Sequence, residues 1–338
     1  MTLYNKFINI LKYIFYGDTI IIVIINTDNI LYAWEMIYII SFKKLTIEDK
    51  EIIERYVDKE NLESYEYLFS SLYMWRKLNN VKYAIFDDTL IIEKNEEGKE
   101  TFYAQPFGYN KEKLTELVDI LKTRNQDYTD REYLFGDVDE EFLNDLKKYT
   151  DYKIEAVEDV DDFEYVYSIM DLIELKGKKY HGKKNHFNSF NKSYSYEIKT
   201  LDNDKVVKDC LALLHKWHDE VAVTVDKEML MEIDAIKDLC GELHYFDLKS
   251  IAVYVDGNLA GFAVGEKVND NMAVIHVERG EIAYKGIYSF LNRIFLMESF
   301  SDTEFVNRQE DTGNEGLRKA KQSYHPVKMV KKYLVKVV

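Results

Sequence analysis

A chain of 338 residues is long enough for about two domains, each with its own core. Its two prolines and fourteen glycines exclude long disordered linkers. A formal charge of −16 repels nucleic acid and anionic membrane as a whole, so contact with either needs a local basic patch.

The N-terminal forty residues carry the apolar run IIIVII at 20–25, interrupted nearby by Asp18, Asp28 and Glu35. No run reaches the roughly twenty apolar residues of a transmembrane span. A signal peptide would need a basic start and a small-residue cleavage site, and neither is clear. From Ile37 the pattern becomes regular. A strand is predicted over 37–45, helices over 46–58 and 62–78, then strands over 81–87, 89–94 and 101–105. Helix 110–124, strand 132–135, helix 139–149 and strand 152–157 complete the first half. Residues 1–35 fall outside this order as an extra segment, and Met36 is the expected true translation start.

Between the halves, Phe163, Val166, Ile169, Met170 and Ile173 lie at helical spacing and predict a linking helix. It leads into LKGKKYHGKKNHFNSFNKSY, where seven lysines fall between Lys176 and Lys199 against the single acid Glu197. Lys178, Lys179, Lys183 and Lys184, interleaved with Tyr180, Phe187 and Phe190, could hold phosphates while rings pack below or stack on bases. The plainer reading is a solvated face over an apolar anchor. His181 and His186 have no carboxylate at ligand spacing, and no metal site is expected.

The second half repeats the first. Strand 192–201 and helices 203–219 and 226–240 precede three strands, joined by turns at Asp256-Gly257 and Asn269-Asp270. Helix 285–299, strand 303–308, helix 313–323 and strand 327–337 follow. Both halves read β-α-α-β-β-β-α-β-α-β. The expected organisation is α+β: residues 36–160, a link over 161–192, and residues 193–338. Cys210 and Cys240, on predicted helices, read as buried small apolar residues in a reducing cytoplasm.

Two strand-to-helix crossings gather polar residues. In the stretch 307–326, NRQEDTGNEGLRKAKQSYHP, Thr312 and Glu315 form a predicted capping box, and the helix stops before Pro326. Asn307, Arg308, Glu310, Asp311, Asn314, Arg318, Lys321 and Tyr324 crowd there, more than capping explains. Such crossings bind ligands in open α/β sheets. The earlier crossing has Glu278 at a strand end, then Arg279, Glu281, Tyr284 and Gly286. A strand-end acid could orient or deprotonate an amine, or be simply solvated.

The runs EDTGNEGLRKAKQSYHP, IHVERGEIAYKGIYSFLNRIF and DDFEYVYSIMDLIELKGKKYHGKKNHFNSF resemble an uncharacterised bacterial family. That family is related to the C-terminal domain of phosphatidylglycerol lysyltransferase, and the resemblance covers roughly residues 41–338. It implies a tandem duplication of GNAT (acyl-CoA N-acyltransferase-like) domains, as in the Fem transferases. It also implies an aminoacyl-tRNA donor, with the aminoacyl group moved to a hydroxyl or amine acceptor such as a lipid headgroup, peptide or small molecule. In acetyl-CoA-using relatives this crossing carries an Arg/Gln-x-x-Gly-x-Gly/Ala cradle for the pyrophosphate. Here RGEIAYKGIYSF offers Gly286 but places Tyr288 where the second small residue belongs, so no CoA cofactor is expected.

On this reading Glu278 and Asp311 hold or deprotonate amino groups, while Arg318 and Lys321, one helical turn apart, face the acyl carbonyl or a phosphate. Arg279, Glu281, Tyr284, Gly286, Asn307, Glu310, Asn314 and Tyr324 line the substrate. The tRNA lies along 176–192, and the protein works in the cytoplasm or at the membrane face. An acyl-CoA N-acyltransferase and a non-catalytic module for an amino-acid-like or anionic ligand are the alternatives.

Overall fold

The computed structural model describes residues 40–338 apart from 60, 97–99, 126–131 and 222–226, together with three strands between 10 and 38. Two seven-stranded mixed sheets dominate. The first runs Lys43–Lys44, Lys82–Phe86, Thr89–Lys94, Phe102–Tyr103, Phe135–Val138, Tyr333–Val337, Ile154–Glu158. The second runs Tyr196–Lys199, Lys249–Val255, Asn258–Lys267, Met272–Gly280, Phe305–Asn307, Glu164–Ser168, Lys328–Val330. In both, the fourth and fifth strands are parallel and their neighbours antiparallel. The predicted turn at Asp256-Gly257 forms with both residues at positive φ, +49° and +79°, as a two-residue hairpin of this hand requires.

The sixth place of each sheet departs from the expected boundaries. Tyr333–Val337, at the end of the second half, lies in the first sheet, and Glu164–Ser168 lies in the second. The second half therefore gives its last strand to the first sheet, and the link between the halves supplies a strand to the second. The predicted strand over 327–337 is divided, Lys328–Val330 staying in the second sheet while Lys331 and Lys332 carry the chain across. The predicted linking helix is also corrected. Tyr165 and Tyr167 pack into one buried cluster and Val166 into another, the alternation of a strand. Helix forms only over Ile169–Glu174, with Ser168 Oγ accepting from the Asp171 amide at 3.3 Å, and again over His181–Ser193.

Strands Ile10–Tyr16, Thr19–Ile25 and Ala33–Tyr38 make a separate antiparallel meander. Met36 sits in its third strand opposite Ile21, so the predicted 37–45 strand is split between this sheet and Lys43–Lys44. Of the extra N-terminal segment, residues 1–9, 17–18 and 26–32 lie outside the described residues. Among the described residues no helix is long and apolar enough to cross a membrane.

The halves share one apolar core. Phe69, Leu72 and Tyr73 of the first pack with Leu214, Leu239, Phe246 and Phe262 of the second. Cys210 and Cys240 are buried in this core, and burial pushes the Cys240 thiol up to about 12. A buried charge network crosses between the sheets beside it. Lys94 Nζ lies 2.6 Å from Glu66, 2.7 Å from Asp137 and 3.6 Å from Glu96, so an ammonium already occupies the middle of these three carboxylates. Lys332 Nζ reaches Glu66 at 2.8 Å and Glu164 at 3.1 Å. Glu164 also accepts from Ser64 Oγ at 2.5 Å, from the Tyr65 amide at 3.2 Å and from Asn307.

Candidate active site where two parallel strands part

Strands Met272–Gly280 and Phe305–Asn307 pair in parallel over three residues, ending with Val274 opposite Asn307. Beyond that point they separate. Met272–Gly280 continues along Asn258–Lys267 as far as Gly261 opposite Gly280. The chain after Asn307 turns away through Gln309, which adopts φ +62°. Glu278 and Arg308 bridge the gap, with Arg308 Nη2 donating to Glu278 Oε1 at 3.0 Å. Their side chains retain 10% and 13% exposure respectively, so this is a largely buried pair.

Helix Ile287–Ser299 supplies the neighbours of the pair. Its buried face is apolar except for Ser289 and Asn292, one turn apart. Asn292 Nδ2 donates to Glu278 Oε2 at 2.9 Å, and Ser289 Oγ lies 3.3 Å from the Tyr324 hydroxyl. The Tyr324 ring is flanked by cations. The Arg308 guanidinium is 4.8 Å from its centroid, and Lys183 Nζ, arriving from helix His181–Ser193, is 3.7 Å away. Burial would lower the Arg308 pKa, but Glu278, with the Tyr167 and Tyr324 hydroxyls, more than offsets this and keeps it a fixed cation. Lys183 goes the other way: burial, then Arg308, push it down to about 8 against the opposing pull of Glu278.

A second group supports the loop that carries Arg308. Asp311, 1% exposed, accepts from Arg318 Nε at 2.8 Å and Nη2 at 2.6 Å, from the Tyr165 hydroxyl at 2.6 Å and from the Gly313 amide at 3.0 Å. Burial would raise its pKa; Arg318 and then Tyr165 outweigh that and hold it below the usual range. Arg318 reaches Asp161 as well, at 2.6 Å. Lys321 Nζ donates to the carbonyls of Arg308 at 2.6 Å, Gln309 at 3.0 Å and Glu310. Asp311, Arg318 and Lys321 thus fix the loop through bonds among themselves and with the backbone. The helix is Glu315–Gln322, and its cap is Asn314, whose Oδ1 accepts from the Leu317 amide at 3.0 Å. Thr312, the predicted cap, sits too early in the chain, at φ +49°.

The remaining predicted residues are dispersed. Asn307 is fully buried in the charge network, donating to the Glu63 carbonyl at 3.0 Å and to Glu164. Arg279 alternates away from Glu278 and pairs with Glu232. Glu281 accepts from Lys216 and from the Ala283 amide at 3.1 Å, and Lys216 holds its pKa down. Tyr284 packs edge-on against Tyr194 at 5.4 Å. Glu310 contributes its carbonyl to Lys321, while its Oε2 is buried without a hydrogen-bond partner among the described residues. Of the lysines, Lys178 and Lys184 are exposed, and Lys179 pairs with Asp171 at 3.1 Å. Lys183 alone of the four turns inward to Tyr324.

Residues 59–336 match the family described as phosphatidylglycerol lysyltransferase, C-terminal. The chain belongs to that family. An uncharacterized protein of Mycoplasmoides gallisepticum is 29% identical over 179 residues, which is 52% of this chain and 56% of that protein, so the match spans little more than half of the relative. A conserved protein of unknown function from Bacteroides thetaiotaomicron superposes with a TM-score of 0.79 at 27% identity, over 89% of this chain and all of that one. L-PGS from Bacillus licheniformis gives 0.56 at 15% identity over 85% and 91% of the two chains, and FemX gives 0.56 at 8% over 88% and 97%. The fold of this lysyltransferase-family chain is thus a tandem GNAT-like pair.

Gly286, at φ +93°, has the His186 carbonyl 2.2 Å from where a Cβ would stand. Its lack of a side chain lets helix His181–Ser193 cross the start of helix Ile287–Ser299, and that crossing delivers Lys183 to the site. Ser289 and Asn292 do not stand out in the sequence, nor does Tyr167, whose ring lies 5.5 Å from the Arg308 guanidinium and whose hydroxyl donates to the Lys321 carbonyl at 2.9 Å. A signal exists for the first two, as buried polar residues spaced three apart on an otherwise apolar helix.

Proposed function

We propose that this chain is an aminoacyltransferase moving an aminoacyl group from aminoacyl-tRNA to a hydroxyl or amine acceptor at the Glu278–Arg308 site. The observation that carries this reading is the largely buried carboxylate of Glu278, held by Arg308 and Asn292 where the two central parallel strands part. Each carboxylate oxygen has a lone pair beyond the bond it already accepts. The acceptor O–H or N–H donates to one of these, and its proton leaves as its lone pair attacks the aminoacyl carbonyl carbon. The ester bond to the tRNA ribose oxygen then breaks, and that oxygen takes the proton. Positioning does most of the work in such a transfer between activated ester and bound nucleophile.

Exposed Lys178 and Lys184, close in sequence to inward Lys183, are where the tRNA backbone would run. Tyr288, where the second small residue of a pyrophosphate cradle belongs, disfavours the alternative CoA donor, whose pyrophosphate would need that loop's amides. The test is turnover by Glu278→Gln, which keeps shape and the Asn292 contact but removes the base. Transfer from charged tRNA should fall about 100-fold or more, the scale of a missing general base, with the circular dichroism spectrum unchanged. Wild-type rates in a folded Glu278→Gln protein would dismiss Glu278 from the chemistry.

A further inference from the structure

The unused hydrogen-bonding capacity around Tyr324 is dominated by cations. Glu278 is engaged on both oxygens, by Arg308 and Asn292. Arg308 Nη1 is buried and has no hydrogen-bond partner among the described residues. Lys183 Nζ stands over the Tyr324 ring, half-buried, and forms no hydrogen bond or ion pair with a described residue. Two cations therefore share one aromatic ring against one carboxylate. The surrounding charges do not balance these two, because Asp311 is closed by Arg318, and the other nearby carboxylate, Glu310, faces Lys321, itself bound to backbone carbonyls. The other facing titratable groups are the Tyr167 and Tyr324 hydroxyls, both pushed up by burial and so neutral. In a chain of formal charge −16, a local excess of positive charge under partial burial is the reverse of what the whole molecule favours.

We propose that Arg308 and Lys183 form an oxyanion-accepting subsite, which takes a phosphate or carboxylate group of the substrate. The inference rests on the same site as the transfer reading and reverses one part of the expectation from sequence. A strand-end acid suggests an ammonium ligand, whereas Glu278 is already neutralised and the free donors are Arg308 Nη1 and Lys183 Nζ. The guanidinium provides the planar, fixed donor and the lysine stem the movable one, lifting from the ring to admit the anion and then closing on it. Because burial and Arg308 hold Lys183 at about 8 in the bare protein, a bound anion restores its charged form. Anion binding therefore takes up a proton near and above that pH, and it weakens as pH rises further.

Calorimetric titration tests this with three probes, inorganic phosphate, dimethyl phosphate and acetate, which stand for a phosphomonoester, a phosphodiester such as a lipid headgroup, and a carboxylate. Lysine amide serves as the cationic contrast. At least one anion should bind the wild type, and the strongest names the group. Lys183→Ala should weaken it about tenfold, as expected for a half-buried ion pair worth roughly 1.4 kcal/mol. Lys183→Arg should stay within about threefold and abolish the decline in affinity between pH 7 and 9.5, since arginine remains charged there. No binding by any anion, equal binding by folded Lys183→Ala, or binding of lysine amide alone would overturn the subsite. Transfer activity without anion binding removes the subsite and leaves the transfer reading; anion binding without transfer does the opposite.

Discussion

Replacing Lys332 by Met should be the most damaging single change at the junction of the two halves. Lys332 is 2% exposed, lies just ahead of the crossing strand Tyr333–Val337, and reaches Glu66 at 2.8 Å and Glu164 at 3.1 Å. Removing one partner of a buried pair costs about 3–5 kcal/mol, because the charge left behind is uncompensated. Glu66 keeps Lys94 at 2.6 Å, which moderates its share. Glu164 keeps only neutral donors, Ser64, the Tyr65 amide and Asn307. We therefore place the loss near the lower end, about 3 kcal/mol at pH 7.

The sign with pH follows from the two acids. For Glu66, burial is outweighed by Lys332 and Lys94, so its pKa is held well below 4.5; its stabilisation is present above that value and disappears only in stronger acid. Burial already raises Glu164, and without Lys332 it rises further. A raised carboxyl destabilises the fold above its own pKa, and that penalty fades as pH falls through it. The deficit of Lys332→Met in urea unfolding should thus be larger at pH 7 than at pH 5, and Glu164→Gln should recover part of it. A deficit below about 1 kcal/mol, within the range of an exposed pair, or one larger at pH 5, would refute this account of the network.

Lys183→Met should stabilise the protein near neutral pH by about 1 kcal/mol, discounted for its solvent-facing side. The native site holds Lys183 at about 8 against 10.5 when free, so its penalty is full below pH 8 and gone above 10.5; the gain, read by urea unfolding, should vanish over that window. Neutralising Lys178 and Lys184 should weaken tRNA binding and flatten its salt dependence by about one unit of slope for each phosphate that is no longer neutralised, measured by filter binding at several salt concentrations. A chain beginning at Met36 should melt within a few degrees of the full chain, because the strands between 10 and 38 pair with one another and with neither large sheet. A large drop would show that the N-terminal meander supports the domains.

Periodicity and turn chemistry make the repeated element order legible, down to the hairpin at Asp256-Gly257. They cannot reveal the crossing of the last strand. Alternation in Tyr333–Val337 marks a strand, but which sheet accepts it depends on tertiary partners such as Ile154–Glu158. Glu164–Ser168 reads as helix because its apolar residues, with those of the helix after it, also fit a helical spacing, and five residues are too few to separate the periods. At the site, Glu278 is visible as a strand-end acid. Asp311, Arg318 and Lys321 are visible as a cluster, but composition cannot tell charges that face a ligand from charges that face each other. Lys183 is hidden among its neighbours, although it precedes Phe187 and Phe190 by four and seven residues and so lies on their packed face.

The central claim is that Glu278 and Arg308 mark an aminoacyl-transfer site. It is tested most directly by supplying the purified protein with tRNA charged with a mixture of labelled amino acids, plus a membrane-lipid extract and small amine acceptors. The account predicts label in a nuclease-resistant product, formed by wild type and missing with Glu278→Gln. Label that leaves tRNA no faster than without protein, while an acyl-CoA supplied with the same acceptors in a parallel reaction is consumed, would contradict it.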